Sequence, residues 1–363
     1  MIPVIDIAPL VNLTNYNTNA TSADLERVIE SIADACQKYG FFAAINHGIN
    51  TTTIDDAWNE SIDFFDNDPA VKQSVSMATD YPYGYENYES LGVERSSAAA
   101  SVDNNTKAGA TTTTCSPDSK ETFSLGPLNS DLSKMPARKF PLNSSSNFAP
   151  ALTSYYNAME QLAKILFRGL AMALKLDDAS WFLQEGLFDE AHQSALRILN
   201  YPELEYVQTD ATNVIRAGAH TDYGAITILK SGGPGLQLQL SKDKDTPTWI
   251  DVPHLENSFV INLGDMMQRW TNDKWKSTLH RVVAKNSDEE NTNNRSRSDD
   301  GLEQVFKSDR RQSIAFFVNV NGDATVTPLK TCVDERNPAR YEPIKASEHL
   351  IQRHEQSMMA KHK

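Results

Sequence analysis

Apolar and polar positions alternate with two different periods along the chain, and the change of period divides it. In the first half the spacing is helical. Leu25, Val28, Ile29, Ile32 and Cys36 recur every three or four positions behind Ser22, which predicts a helix that Gly40 ends. A second helix is expected around Ile54 to Phe65. A third, beginning near Pro150, sets Leu152, Tyr155, Met159, Leu162, Leu166, Leu170 and Leu174 on one face, as a scaffold helix packed on a sheet would. Two short apolar runs, Ile2 to Ile7 and Phe41 to Ile45, read as strands. From Leu196 onward short strands follow one another: Leu196 to Leu199, Ala225 to Leu229, Leu236 to Leu240, Trp249 to Val252, Phe259 to Leu263, Val282-Val283 and Ile314 to Val318. The run Leu236-Gln237-Leu238-Gln239-Leu240 alternates as a strand with one buried face should. Turn residues separate these strands, at Gly232-Gly233-Pro234-Gly235 and at Gly264-Asp265.

Many short strands at this spacing predict a double-sheet barrel of jelly-roll type. The expected class is α+β: a mainly helical N-terminal region over 1–150, a β-core over 151–345, and a C-terminal helix near Ala346 to Met358 with a tail to 363, all in one compact unit. Two stretches interrupt the pattern. Residues 95–119 are dominated by Ser, Ala, Thr, Asn and Gly, and residues 286–310 by Asn, Asp, Ser and Arg. Neither carries enough apolar surface to offset the entropy of ordering it, so both are expected to be polar surface insertions.

The chain has 363 residues, of which 40% are hydrophobic and 23% charged, so it can bury a substantial core. Its formal net charge of −14 repels nucleic acid and anionic membrane, and neither is an expected partner. No apolar run approaches the roughly 20 residues that cross a bilayer. The first residues lack the basic and apolar segments of a secretion signal. Cys36, Cys115 and Cys332 are odd in number and far apart, which fits free thiols rather than a disulfide framework. A cytosolic, monomeric enzyme acting on a small molecule is the resulting expectation.

The chemistry gathers in the strand-rich half. His220-Thr221-Asp222 opens a strand-like stretch, and residues i and i+2 of a strand point to the same side. His280, entering another strand, is the best third partner. Two imidazoles and a carboxylate on one face of an ion make up the facial triad of non-haem iron(II) oxygenases. Of the remaining histidines, His47 belongs to a strand-end turn, His192 and His254 fall in expected loops, and His349, His354 and His362 fall in the polar C-terminal helix or tail; none has an acid at strand spacing on a β-segment. An isolated His-x-Asp is weak evidence. Here it is joined by Arg311-Gln312-Ser313 at the head of a strand, where a guanidinium fork and a hydroxyl on one face suit a carboxylate. A turn at Asn262-Leu263-Gly264-Asp265 is expected to deliver the next strand. Arg197-Ile198-Leu199-Asn200-Tyr201-Pro202 could present the phenol of Tyr201 to the same cavity.

Taken together, these residues resemble the isopenicillin N synthase-like branch of the iron(II)/2-oxoglutarate dioxygenase superfamily. The likeness runs from Ile2-Pro3-Val4-Ile5-Asp6, Tyr39-Gly40-Phe41-Phe42 and Asn46-His47-Gly48-Ile49 through Tyr83-Gly84-Tyr85 and Lys120-Glu121-Thr122-Phe123. It continues with His220-Thr221-Asp222-Tyr223-Gly224, Gly235-Leu236-Gln237, Asn262-Leu263-Gly264-Asp265, His280-Arg281-Val282 and Arg311-Gln312-Ser313. The resemblance implies that His220, Asp222 and His280 ligate Fe(II), and that Arg311 and Ser313 bind the distal carboxylate of 2-oxoglutarate with Tyr201 in contact. O2 would be the third reactant, and succinate and CO2 would be products. Plant members carry an asparagine two positions before that tyrosine, where this chain has Leu199; the adjacent Asn200 is out of phase.

Tyr83, Tyr85, Phe123 and Phe317 are candidate walls of the substrate cavity, though each could equally be a core aromatic. Three other readings stay open. An oxidase that does not use 2-oxoglutarate can retain the Arg-x-Ser pair, as isopenicillin N synthase and the ethylene-forming plant oxidases do. A jelly-roll protein could bind metal and oxo-acid without turnover. A zinc hydrolase would need a general base near His220 or His280, and no further acid stands out.

Overall fold

The computed structural model describes residues 1–14, 22–78, 82–87, 120–127, 137–142, 144–207, 214–240, 248–285 and 305–360. The 95–119 stretch lies outside them, and with it Cys115. In chain order the elements begin with strand β1 (Val4–Asp6), helices α1 (Ala8–Thr14) and α2 (Ser22–Lys38), and strand β2 (Phe41–Ile45). Helices α3 (Thr51–Asp66) and α4 (Pro69–Gln73) follow, then β3 (Gly84–Asn87), β4 (Glu121–Leu125) and the long α5 (Phe148–Ala173). The strand-rich part contains β5 (Ala195–Tyr201), β6 (Leu204–Val207), β7 (Ile215–His220), β8 (Ile226–Ser231), β9 (Leu236–Gln239), β10 (Trp249–Asp251) and β11 (Phe259–Leu263). After helix α6 (Asp265–Trp270) come β12 (His280–Val283), β13 (Val305–Ser308), β14 (Arg311–Val318), β15 (Thr325–Val326), β16 (Ile344–Lys345) and α7 (Ala346–Ala360).

Eight strands form one sheet in the order β1-β2-β11-β8-β14-β5-β4-β3, and four form a second in the order β10-β9-β12-β7. The order is far from sequential, as a jelly roll requires. Strand alternation assigns the two faces of the large sheet. On β14, Ile314, Phe316 and Val318 join the main core with α2, α3 and α5. Arg311, Ser313, Ala315 and Phe317 therefore point the other way. A second, smaller cluster fills the space between the sheets, with Phe41, Ala43, Tyr201 and Val260 from one and Ala217, Leu236, Leu238 and Val282 from the other. The double-sheet interior is thus a distinct compartment, closed on one side by the large sheet and its helices.

Local sequence explains the key junctions. Gly40 ends α2 with φ +66°, and a Cβ there would lie 2.2 Å from the carbonyl of Lys276, so glycine alone lets the chain turn into β2 against the β12 approach. Helix α5 buries thirteen of its twenty-six residues, including the expected stripe from Leu152 to Leu170. Cys36 and Cys332 are buried free thiols, and burial pushes Cys36 well above the usual thiol range. Among the described residues no helix is long and apolar enough to cross a membrane.

Three expectations change. The polar insertion expected over 286–310 ends earlier, because Val305–Ser308 forms β13, paired antiparallel with β6 from Val305↔Val207 to Ser308↔Leu204. A two-stranded ribbon satisfies its backbone by pairing and shows little hydrophobic periodicity, so composition conceals it. Residues 286–304 lie outside the described residues. Asn262-Leu263-Gly264-Asp265 leads not into a strand but into α6, because Gly264 is extended and its carbonyl accepts the first helical hydrogen bond, from Gln268. His349, which the sequence places on the C-terminal helix without a partner, is buried there, its Nε2 donating to the carbonyl of Tyr223 at 3.2 Å.

Candidate metal centre and co-substrate site

His220 is the last residue of β7, and Asp222 lies two positions beyond, in the connection to β8 rather than on a strand. The expected strand geometry for the pair is therefore replaced by a strand end and a fixed loop. His280 begins β12 and is the register partner of His220. The loop's conformation is held by Asp265 N–H donating to the carbonyl of Asp222 at 2.7 Å and Met266 N–H to that of Gly224 at 3.1 Å. Helix α7 backs the loop: Arg353 pairs with Asp265 at 2.6 Å and donates to Thr221 Oγ1 at 3.1 Å.

Imidazole nitrogens of His220 and His280 and a carboxylate oxygen of Asp222 all lie within 4.8 Å of one another, a grouping that can hold one metal ion. Both Nε2 atoms are 3.9 Å from Asp222 Oδ1. Each Nδ1 meets a carbonyl two residues earlier, Gly218 at 2.8 Å for His220 and Thr278 at 3.0 Å for His280. Those carbonyls can only accept, so the proton sits on Nδ1 and the Nε2 lone pair faces the ion site. Asp222 Oδ2 accepts from Thr227 Oγ1 and Asn262 Nδ2, both at 2.6 Å, which leaves Oδ1 for the ion.

Electrostatics agree with this division. Desolvation of the ring by surrounding protein, with the neighbouring His280 adding to it, lowers the His220 pKa below its ordinary value. Burial would raise the Asp222 carboxyl, but the His280 and His220 charges and the Thr227 and Asn262 hydrogen bonds hold it below its ordinary value. With each Nδ1 held on a backbone carbonyl, the trio offers two Nε2 atoms and a carboxylate oxygen, a donor set that fits iron(II).

Arg311, the first residue of β14, lies in the inter-sheet compartment beside Tyr201, its register partner, with the guanidinium 5.4 Å from the ring centroid. Its Nε donates to the carbonyl of Pro234 at 3.2 Å and its Nη2 to Ser231 Oγ at 2.8 Å, while Nη1 is buried with no hydrogen-bond partner. Among the described residues no carboxylate pairs with it. Burial lowers the Arg311 pKa below its ordinary value. An enclosed cation with a spare donor is costly by itself and fits the carboxylate of an oxo-acid. Ser313 is buried on the same face, in register with Ser231 on one side and Leu199 on the other.

The four candidate cavity aromatics separate. Phe317 shares the Arg311 face and is the register partner of Thr227, the residue whose hydroxyl donates to Asp222. Tyr85 and Phe123 are paired residues on the opposite, helix-facing side, packed on Phe64, and so belong to the main core and not to the cavity. Their alternation in β3 and β4 could not be phased without knowing which face those strands bury. The Tyr83 ring closes on Gly126, where a Cβ would meet it at 2.4 Å, and stands at the edge of the sheet. Sequence reasoning missed Thr227 and Ser231, whose only signal is a two-residue phase along β8, and gave Asn262 a turn role although its amide grips Asp222.

Family models match both halves of the chain: the 2OG-Fe(II) oxygenase superfamily over residues 193–320, and the N-terminal region of non-haem dioxygenases, described from morphine synthesis, over residues 2–144. The 2-oxoglutarate-dependent dioxygenase traH of Penicillium crustosum is 32% identical over 289 residues, 77% of this chain and 81% of that protein. The chain belongs to the 2OG-Fe(II) oxygenase superfamily. The rice (Oryza sativa subsp. japonica) homoarginine-6-hydroxylase 2-ODD-233 is 28% identical over 97% of this chain and 96% of its own length. In fold, the chain is similar to a full-length Neurospora crassa protein solved in complex with alpha-KG and thymine. The TM-score is 0.72 at 24% identity, covering 98% of this chain and 97% of that one. The superfamily member described here is an oxidoreductase, a 2-oxoglutarate-dependent dioxygenase with a jelly-roll core. It works with Fe(II), 2-oxoglutarate and O2 on a small molecule.

Proposed function

We propose that this dioxygenase holds iron(II) with His220, Asp222 and His280, and the distal carboxylate of 2-oxoglutarate with Arg311, Ser313 and Tyr201. The substrate then lies on the Phe317 side of the inter-sheet compartment. One observation carries the reading: a buried guanidinium with an unpartnered Nη1 shares a compartment with three ligand atoms grouped for one ion. Bound iron(II) supplies the redox chemistry, in which 2-oxoglutarate and O2 yield succinate and CO2 while a substrate C–H bond is oxidised.

The protein's own part is positioning. The Nδ1–carbonyl contacts fix both imidazole rings, and Thr227 and Asn262 fix the carboxylate, so little reorganisation is needed when the ion enters. Arg311 orients the oxo-acid by charge and by its fork, and Tyr201 covers the guanidinium face. The apolar residues between the sheets, Leu238, Val260 and Val282, keep the compartment poor in water. Product identity then depends on which substrate hydrogen is held nearest the ion.

As an organisation we propose an N-terminal region over 1–150 that closes the helix side of the sheet, an oxygenase core over 151–345, and a C-terminal helix that backs the metal loop. The Arg353–Asp265 pair supports the last assignment.

The test is anaerobic reconstitution with iron(II) and 2-oxoglutarate, followed by exposure to O2 with a panel of small metabolites, scored by succinate and by oxidised product. Succinate in step with product is the expected result. Product without succinate would indicate the oxidase reading, and binding without O2 consumption a silent jelly roll.

A further inference from the structure

The side chains that hold the two co-substrate strands from behind form a continuous relay. Tyr201 is the last residue of β5 and Arg311 the first of β14, and strand ends fray unless they are anchored. On the opposite face, one residue away, Asn200 is in register with Glu121 on β4 and Gln312 on β14. Arg310 Nε donates to Asn200 Oδ1 at 2.8 Å, and Asn200 Nδ2 donates to Glu121 Oε2 at 3.0 Å. Glu121 Oε1 accepts from Lys72 Nζ at 2.7 Å and Tyr85 OH at 2.5 Å. Arg310 also reaches Asp66 on α3 at 2.7 Å, and Gln312 Nε2 donates to the carbonyl of Trp58 at 3.0 Å.

Asn200 is 4% exposed, so both ends of its amide must be satisfied within the protein. Its orientation is dictated by its neighbours: an arginine can only donate and a carboxylate can only accept. The relay therefore ties α3 and α4 to β4, β5 and β14 at the row directly behind Arg311 and Tyr201.

We propose that Arg310, Asn200 and Glu121 are positioning residues for 2-oxoglutarate, setting from the helix side the strand ends that present Arg311 and Tyr201 on the other. The inference rests on the assignment of the oxo-acid to Arg311. Asn200, one position out of phase with the asparagine of plant relatives, thus serves the co-substrate site from behind instead of lining it.

The donor pattern supplies a reversible test. Asn200→Asp sets a carboxylate against the Glu121 carboxylate, and Glu121→Gln sets an amide N–H against the Asn200 N–H. The double variant N200D/E121Q restores every hydrogen bond: the new carboxylate accepts from Arg310 and from the new glutamine, whose oxygen still faces Lys72 and Tyr85. Affinities for iron(II), and for 2-oxoglutarate in the iron-loaded protein, are measured by anaerobic titration, beside thermal melting. Each single variant is expected to weaken 2-oxoglutarate about tenfold with iron affinity within about twofold of the parent, and the double variant to return to the parent value.

Singles that bind 2-oxoglutarate as the parent does would overturn the proposal. So would a double variant as weak as the singles, or a loss of iron affinity and melting temperature in proportion to the loss of 2-oxoglutarate, which marks general destabilisation. A parent protein that binds iron(II) but shows no 2-oxoglutarate binding, with Arg311→Ala indistinguishable from it, would instead remove the functional reading and this inference with it.

Discussion

Asn262 and Asp222, forty positions apart, meet through a 2.6 Å hydrogen bond from Nδ2 to Oδ2. With Thr227 on the same oxygen, it selects which carboxylate oxygen faces the histidines. Replacing Asn262 by Ala should therefore lower iron(II) affinity by about 10- to 100-fold without removing a ligand. Asp222→Ala should abolish both binding and turnover. Anaerobic metal titration checks the pair, and parental iron affinity in Asn262→Ala would show that the hydrogen bond does not orient the carboxylate.

The lone Nη1 of Arg311 leads to a second expectation. Arg311→Met keeps much of the apolar stem and removes the charge, and the KM for 2-oxoglutarate should rise by about 10- to 100-fold, the value of one or two charge-assisted hydrogen bonds. Iron content should not change. Arg311→Lys should recover only part of the loss, because an ammonium cannot reproduce the fork reaching Pro234, Ser231 and a ligand at once. Steady-state kinetics with succinate as readout decide it; an unchanged KM would assign Arg311 another role.

Much of this centre is legible in the residues themselves. His220, Asp222, His280, Arg311 and Ser313 carry distinctive chemistry at short spacings, and the strands around them alternate in a way that local sequence records. What stays hidden depends on long-range register. Thr227 and Asn262 are ordinary strand residues until β8 and β11 pair and turn the same face to the aspartate. Tyr85 and Phe123 look like cavity aromatics until β3 and β4 are phased against α3 and α5. Gln237 breaks the expected polar-out rule for the same reason: it is buried, accepting from Arg281 and donating to Asp251. Side-chain type marks where chemistry can occur, whereas which face a residue occupies is a property of pairing.

Gly264 supports a third prediction, this one about the loop. A Cβ at 264 would stand 2.2 Å from the carbonyl oxygen of Gly224 and 3.1 Å from that of Asp222, both backbone atoms that cannot swing aside. Gly264→Ala should push the β7–β8 connection off α6, costing about 1–3 kcal/mol and most of the iron affinity. Gly233→Ala is the matched control, since its added methyl would meet only Arg311 Cγ at 4.0 Å. Denaturant melts and metal titration of the two variants should diverge; equal behaviour would mean that the loop has room to yield.

A final prediction concerns acid stability, at a distance from the metal. Glu160 on α5 faces His192 at 3.5 Å and Lys164 at 2.6 Å. The hydrogen bond from His192 lowers its carboxyl most; burial opposes this and Lys164 adds to it, the net value being about 2 against an ordinary 4.5. A carboxyl depressed on folding stabilises the protein fully above its unfolded pKa, and the contribution is lost as pH falls toward the folded value. The window is thus about pH 4.5 down to about 2. Allowing for partial exposure, the effect is on the order of 2 kcal/mol. Glu160→Gln should be less stable than the parent at pH 6, and the gap should narrow steadily in denaturant melts run from pH 5 to pH 3. A gap that stays constant with pH would show that the carboxylate contributes by packing and not by charge.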